Sequence, residues 1–111
     1  MLNNLVIVGR LVSDPQINEI ENGKKVGTIT LAVQRNYKNS NGEYDVDFID
    51  CILWTGIADQ TSEYCKKGDV VGIKGRIQSE IIKNEDGTEY KKMEIIAEKV
   101  SFLSSKIKEG E

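Results

Sequence analysis

The stretch Phe48-Ile49-Asp50-Cys51-Ile52-Leu53-Trp54 sorts by parity. Side chains alternate across an extended strand, so Ile49, Cys51 and Leu53 point one way and Phe48, Asp50, Ile52 and Trp54 the other. The first set makes a core face. The second carries two aromatic rings, one of them the single tryptophan of the chain, roughly 20 Å apart at the rise of a strand. Two flat rings on one solvent face form a platform for planar groups. Cations lie in matching places. Arg35 and Lys38 flank Tyr37, Lys74 and Arg76 share one face of an alternating segment, and Arg10 follows Gly9. Interleaved rings and cations suit an unpaired nucleic-acid strand, whose bases offer π-faces and whose backbone offers phosphates. Asp50 is the discordant residue, because an anion between Phe48 and Trp54 repels phosphate. It is expected to pair with a cation on a neighbouring strand and to lower affinity.

Catalytic chemistry has no support. The chain has no histidine, so activation of a serine or cysteine by imidazole is not available. No glycine-rich phosphate loop opens a helix. Asp45-x-Asp47 before a strand is a common pattern, and neither a metal nor a cofactor is assigned. Cys51 and Cys65, fourteen positions apart, match no metal or redox spacing. They are read as free, buried thiols of a cytoplasmic protein. The expectation is a binding protein, not an enzyme.

A chain of 111 residues is one domain, long enough to fold without disulfides or metals. The net charge of −3 disfavours a nucleic-acid partner only mildly, because its sign is uneven. Residues 1–38 hold five basic and three acidic side chains, whereas 43–50 hold four acidic and no basic ones. Placement must decide. No apolar run approaches the ~20 residues of a membrane helix, and MLNNLVIVGRL lacks the basic region and cleavage site of a signal peptide.

The elements that must position these residues follow in order. Residues 4–12 read as a strand apolar on both faces, with Gly9 as a bulge or bend. Asp14-Pro15 breaks it, and Glu21-Asn22-Gly23-Lys24 signals a hairpin. Thr28 to Val33 alternates, with Ile29, Leu31 and Val33 inward. After a turn at 39–42 comes the strand 47–54, then a helix over 57–67 with Ile57, Thr61, Tyr64 and Cys65 on one side. Thr55 is the expected N-cap and Gly68 the expected left-handed C-cap. Val71, Ile73 and Ile77 make a half-buried strand, 84–87 a turn, and 90–100 the last strand; Tyr64 and Phe102 are read as core. Strict alternation from Leu31 would turn Tyr37 inward, so the strand is expected to leave the barrel there as a hairpin arm. Three strands, one helix and two strands describe an all-β, five-stranded OB-fold barrel, with one short helix between strands 3 and 4.

Asn3-Asn4-Leu5-Val6-Ile7-Val8-Gly9-Arg10-Leu11 followed by Asp14-Pro15 resembles the opening of bacterial single-stranded DNA-binding proteins. So do Asn22-Gly23 with Thr28-Ile29-Thr30-Leu31-Ala32-Val33, the Phe48–Trp54 strand leading to Ala58-Asp59, and the run from Tyr64 to Ile77. The resemblance spans residues 1–103 as one DNA-binding domain and leaves 104–111 as a short flexible end. It implies sequence-independent binding and protection of single-stranded DNA in replication, recombination and repair, in the cytoplasm at the nucleoid. Trp54, Phe48 and Tyr37 coincide with stacking positions of the family; Arg35, Lys74, Arg76, Arg10 and Lys38 would take phosphates. Ile82 departs from the pattern, since relatives often carry another stacking aromatic there, which implies fewer stacking contacts. Tyr44 and Tyr90 are divided evenly between stacking and hairpin packing. The family pairs its first strand, here Leu5–Val8, with a second copy and assembles tetramers. Its usual linker and acidic recruiting tip have no counterpart in Ser104–Glu111, so no tail-mediated partner is expected. A different reading, a primosome-type accessory barrel that binds protein, stays open at this point.

Overall fold

The computed structural model describes residues 1–104. Its strands are β1 (Leu5–Leu11), β2 (Gln16–Glu19), β3 (Lys25–Lys38), β4 (Tyr44–Trp54), β5 (Val70–Lys83) and β6 (Glu89–Ser104), with one helix, α1 (Thr55–Tyr64), between β4 and β5. The sheet order is β1-β5-β6-β4-β3-β2, and pairing of β1 with β3 closes it into a barrel. The five long strands and the helix match the expected OB-fold. The four-residue β2 is an addition. It pairs with β3 across a tight turn in which Asn22 adopts a left-handed φ of 62°, as the Asn-Gly signal requires.

Alternation decides the interior. Leu11, Ile29, Leu31, Cys51, Leu53, Val71 and Ile73 are buried, with Val33 and Ile49 packed against them. Leu11 apart, which lies on β1, these are inward positions expected on β3, β4 and β5. Gly9 marks the closure. β1 keeps its register with β5 from Leu5 to Arg10 and meets β3 at Arg10 and Leu11, so there is no bulge at Gly9. A Cβ on Gly9 would lie 2.8 Å from the carbonyl oxygen of Ala32 and 2.9 Å from Val33 Cγ2, which only glycine avoids.

The helix departs from its expected limits at both ends. It begins at Thr55, whose positive φ of 32° makes it no cap, and the chain turns extended at Cys65. Gly68 serves the next feature, a turn in which the Asp69 amide donates to the Lys66 carbonyl and the Asp69 carboxylate accepts from the Lys66 amide. That turn is anchored when the Gly68 amide donates to the Leu11 carbonyl. Ala58 and Thr61 form the buried side of α1, while Tyr64 stands 64% exposed. Phe102 is 47% exposed, so neither ring expected in the core lies there. Ile77 is also exposed, because β5 has left the barrel by that point.

Both thiols are free and buried. Burial, reinforced by the charge of Asp50, pushes Cys51 up to about 11; burial and Asp69 push Cys65 up as well. Neither thiol is a ready thiolate. The flexible end expected from residue 104 lies outside the described residues except for Ser104, which closes β6.

Candidate nucleic-acid interface

The outer face of the sheet follows from register. On β3 and β4 the outward pairs are Val26 with Trp54, Thr28 with Ile52, Thr30 with Asp50, and Ala32 with Phe48. The surface continues because β6 pairs parallel to β4, matching Ile52 to Ile96. β5 then pairs Arg76 to Ile96, Gln78 to Glu94, Glu80 to Lys92 and Ile82 to Tyr90. Side chains of even number on β4, β5 and this part of β6 therefore share one side. Phe48 is 68% exposed on it and Trp54 45%, as the parity of that strand required.

Tyr37 reaches solvent by another route. The β3–β4 register shifts between Gln34 and Lys38, and beyond that irregularity the two strands form an arm. Tyr37 is 64% exposed there, as expected of an arm that abandons the barrel's alternation. Lys38 places its ammonium 5.8 Å from the centre of the Tyr44 ring, a cation–π distance.

The candidate cations have internal partners, and they do not all share the face of Phe48 and Trp54: Arg35 takes Asp47, which pairs with Val33 on the other side of β4. Arg35 grips Asp47 through Nε at 3.1 and 3.3 Å and Nη2 at 2.9 Å, and Asp45 lies 3.7 Å from Nη1. The pairing raises the Arg35 pKa further and lowers that of Asp47. Arg10 donates from Nη1 to the Gly68 carbonyl at 2.6 Å, tying β1 to the turn after α1. Arg76 donates to Gln78 Oε1 at 2.8 Å. Lys25, near a hairpin, is held by Asp59 at 2.7 Å.

Among the described residues, Asp50 does not take the cation expected for it. Its Oδ1 accepts a hydrogen bond from the Thr30 hydroxyl across the strand at 2.5 Å. A hydroxyl orients the carboxylate without cancelling its charge, so the anion stays exposed in the middle of the platform. Asp50→Asn keeps an oxygen for Thr30 to donate to and removes that charge. It is expected to tighten binding of oligo-dT by about two- to fivefold, the scale of one exposed charge interaction. Unchanged or weaker binding in a fluorescence titration would refute this.

Tyr90, which the sequence divided evenly between stacking and hairpin packing, stands in the open. It is 51% exposed and lies directly across from Ile82, the position where an aromatic was found missing. Only strand register reveals that pairing. Among the described residues, no group of histidine, cysteine and acidic side chains could hold a metal ion, and no helix is long and apolar enough to cross a membrane.

Comparison with known proteins identifies the family. The single-strand binding protein family matches residues 2–103. Single-stranded DNA-binding protein B of Bacillus subtilis (strain 168) is 40% identical over 109 residues, which cover 98% of this chain and 96% of the relative. Single-stranded DNA-binding protein 1 of Lactococcus lactis subsp. lactis (strain IL1403) is 40% identical over 111 residues, covering 100% of this chain and 74% of the relative. The fold is similar to that of a chain in a Plasmodium falciparum SSB complex with ssDNA, with a TM-score of 0.79 at 24% identity, covering 94% of this chain and 97% of that one. By its sequence along nearly its whole length, the chain belongs to the single-strand binding protein family.

Proposed function

We propose that this protein binds single-stranded DNA without sequence preference, protecting it during replication, recombination and repair in the cytoplasm at the nucleoid. The observation that carries this reading is the exposure of Trp54 and Phe48 on one continuous outer face, with Tyr37 exposed on the adjoining arm. A binder of any sequence cannot rely on base edges; it needs ring faces and positive charge. Trp54, Phe48 and Tyr37 stack bases, with Tyr90 as a fourth ring supplied opposite Ile82. Lys74, Arg76, Lys38, Arg10 and Arg35 meet phosphates, Arg35 least readily because Asp47 already holds it. The protein has no enzymatic role in this reading. Titration with oligo-dT should quench Trp54 fluorescence strongly, and oligo-dA of equal length should do so comparably. An unresponsive tryptophan would favour a barrel that binds protein.

The same reading includes self-association. Val6 and Val8 are 74% and 51% exposed on β1, which pairs with β5 along one edge and meets β3 only at its end. The remaining edge offers backbone donors and acceptors to a second copy, and the valines offer apolar area. Dimers formed there assemble into a tetramer. Sedimentation should give a mass near four chains for the native protein and a smaller one for Val6→Asp. A native mass of one chain would remove this part of the proposal.

A further inference from the structure

β5 and β6 change register where they cross the outer face. Lys74 faces Lys99 and Gly75 faces Ala97, so Glu98 has no partner on β5. A residue inserted in this way re-aims the side chains around it. Here it sets the Glu98 carboxylate between two candidate phosphate contacts, with Oε1 3.9 Å from Lys74 Nζ and Oε2 3.9 Å from Arg76 Nε. Lys99 stands across from Lys74 and adds a third positive charge to this part of the sheet.

These contacts are long, and the three side chains of the ion pairs are each between 41% and 58% exposed. Exposed pairs of this kind are weak and exchange readily. A carboxylate presents two oxygens and one negative charge, as a phosphodiester does. We infer that Glu98 is a built-in stand-in for phosphate, which occupies the Lys74–Arg76 site in the free protein and is displaced when a strand binds. This rests on the DNA-binding reading and adds a consequence to it. Cations already neutralised by Glu98 hold few solution anions, and a displaced Glu98 attracts sodium or potassium again. Fewer ions are released on binding, so charge contributes less than the number of cations implies. Stacking then dominates, and a polyanion without bases is a poor competitor.

The test compares native protein with Glu98→Gln in oligo-dT titrations from about 50 to 200 mM salt, a range over which phosphate contacts change affinity steeply. Glu98→Gln should bind about fivefold tighter at the lower salt, equivalent to the attraction of two unit charges 4 Å apart in water. Its plot of log K against log salt should be steeper by about 0.7 to 1.4, the contribution of one or two single-strand phosphate contacts. Glu63→Gln removes an equal charge from the exposed side of α1 and should leave the slope as it was. In a Lys74→Gln, Arg76→Gln background the gain from Glu98→Gln should vanish. An unchanged slope, a gain that survives without both cations, or weaker binding with a lower melting temperature would each overturn the inference. Native protein that binds oligo-dT while Glu98→Gln keeps its slope removes only the role of Glu98. Native protein that ignores oligo-dT removes the parent reading.

Discussion

Trp54→Ala should weaken oligo-dT binding by about 1–3 kcal/mol, the usual worth of one base stacked on an aromatic ring. The ring lies on the outer face at the end of β4 and is 45% exposed, so its removal leaves no cavity in the barrel. Melting temperature should therefore change little while affinity falls, which separates a contact from a scaffold. Phe48 gives an independent arm to the experiment. It lies six residues away on the same strand face, roughly 20 Å at strand rise, beyond the range at which substitutions normally couple. Phe48→Ala should thus cost a similar amount, and the double variant should lose close to the sum. The oligonucleotide must be long enough to cover both rings, and the single variants can be followed by anisotropy of a labelled strand. If the double variant bound no worse than either single one, the two rings would not belong to one stacking track.

Such a prediction could be framed from sequence because alternation on β4 is unambiguous. Ile49, Cys51 and Leu53 are all apolar, and burying them leaves Phe48 and Trp54 one possible side. The same logic assigned Ile29 and Leu31 to the interior, and both are buried. Where strands leave the barrel, both faces meet water and the pattern stops carrying information. That is why the arms of β3–β4 and β5–β6 extend further than alternation indicated, and why Ile77 is exposed. Tyr64 misled for a related reason: helical spacing groups it with Ile57, Thr61 and Cys65, but α1 ends at Tyr64 and the ring passes the edge of the core. Phe102 lies opposite buried Val71 at the end of the barrel, where its ring lines an open pocket with Tyr64 and Cys65 and so stays half exposed. The partner of Asp50 was not legible because its nearest charge-compensating group had to be guessed, whereas Thr30 faces it by register. The cations show the same limit. Their residue types pointed to phosphate, but the carboxylates that hold Arg35, Lys74 and Arg76 come from β4 and β6 and appear only once the sheet is assembled.

Gly75 is where the barrel and the binding face depend on one atom's absence. A Cβ there would overlap the carbonyl oxygen of Ile96 and lie 3.2 Å from its carbonyl carbon and 3.4 Å from Ala97 Cα. All three are backbone atoms of β6, so no rotamer change can make room. Gly75→Ala must push β5 and β6 apart at the register shift, and overpacking of this kind costs about 1–3 kcal/mol, occasionally more. At this chain length about 1 kcal/mol corresponds to a fall of about 4 °C or more in melting temperature. Gly56→Ala supplies the opposite sign. Its Cβ would meet nothing within 4 Å, it lies in the first turn of α1, and alanine there should stabilise by about 0.4–1 kcal/mol by restricting the unfolded chain. Calorimetric melts of the two variants should therefore move in opposite directions from the native protein. The Gly75 variant should also bind oligo-dT more weakly, because Lys74 and Arg76 flank the displaced residue and Glu98 sits in the bulge opposite. Equal melting temperatures for Gly75→Ala and the native protein would mean that β6 yields there without cost, and the bulge could not then be what fixes those side chains.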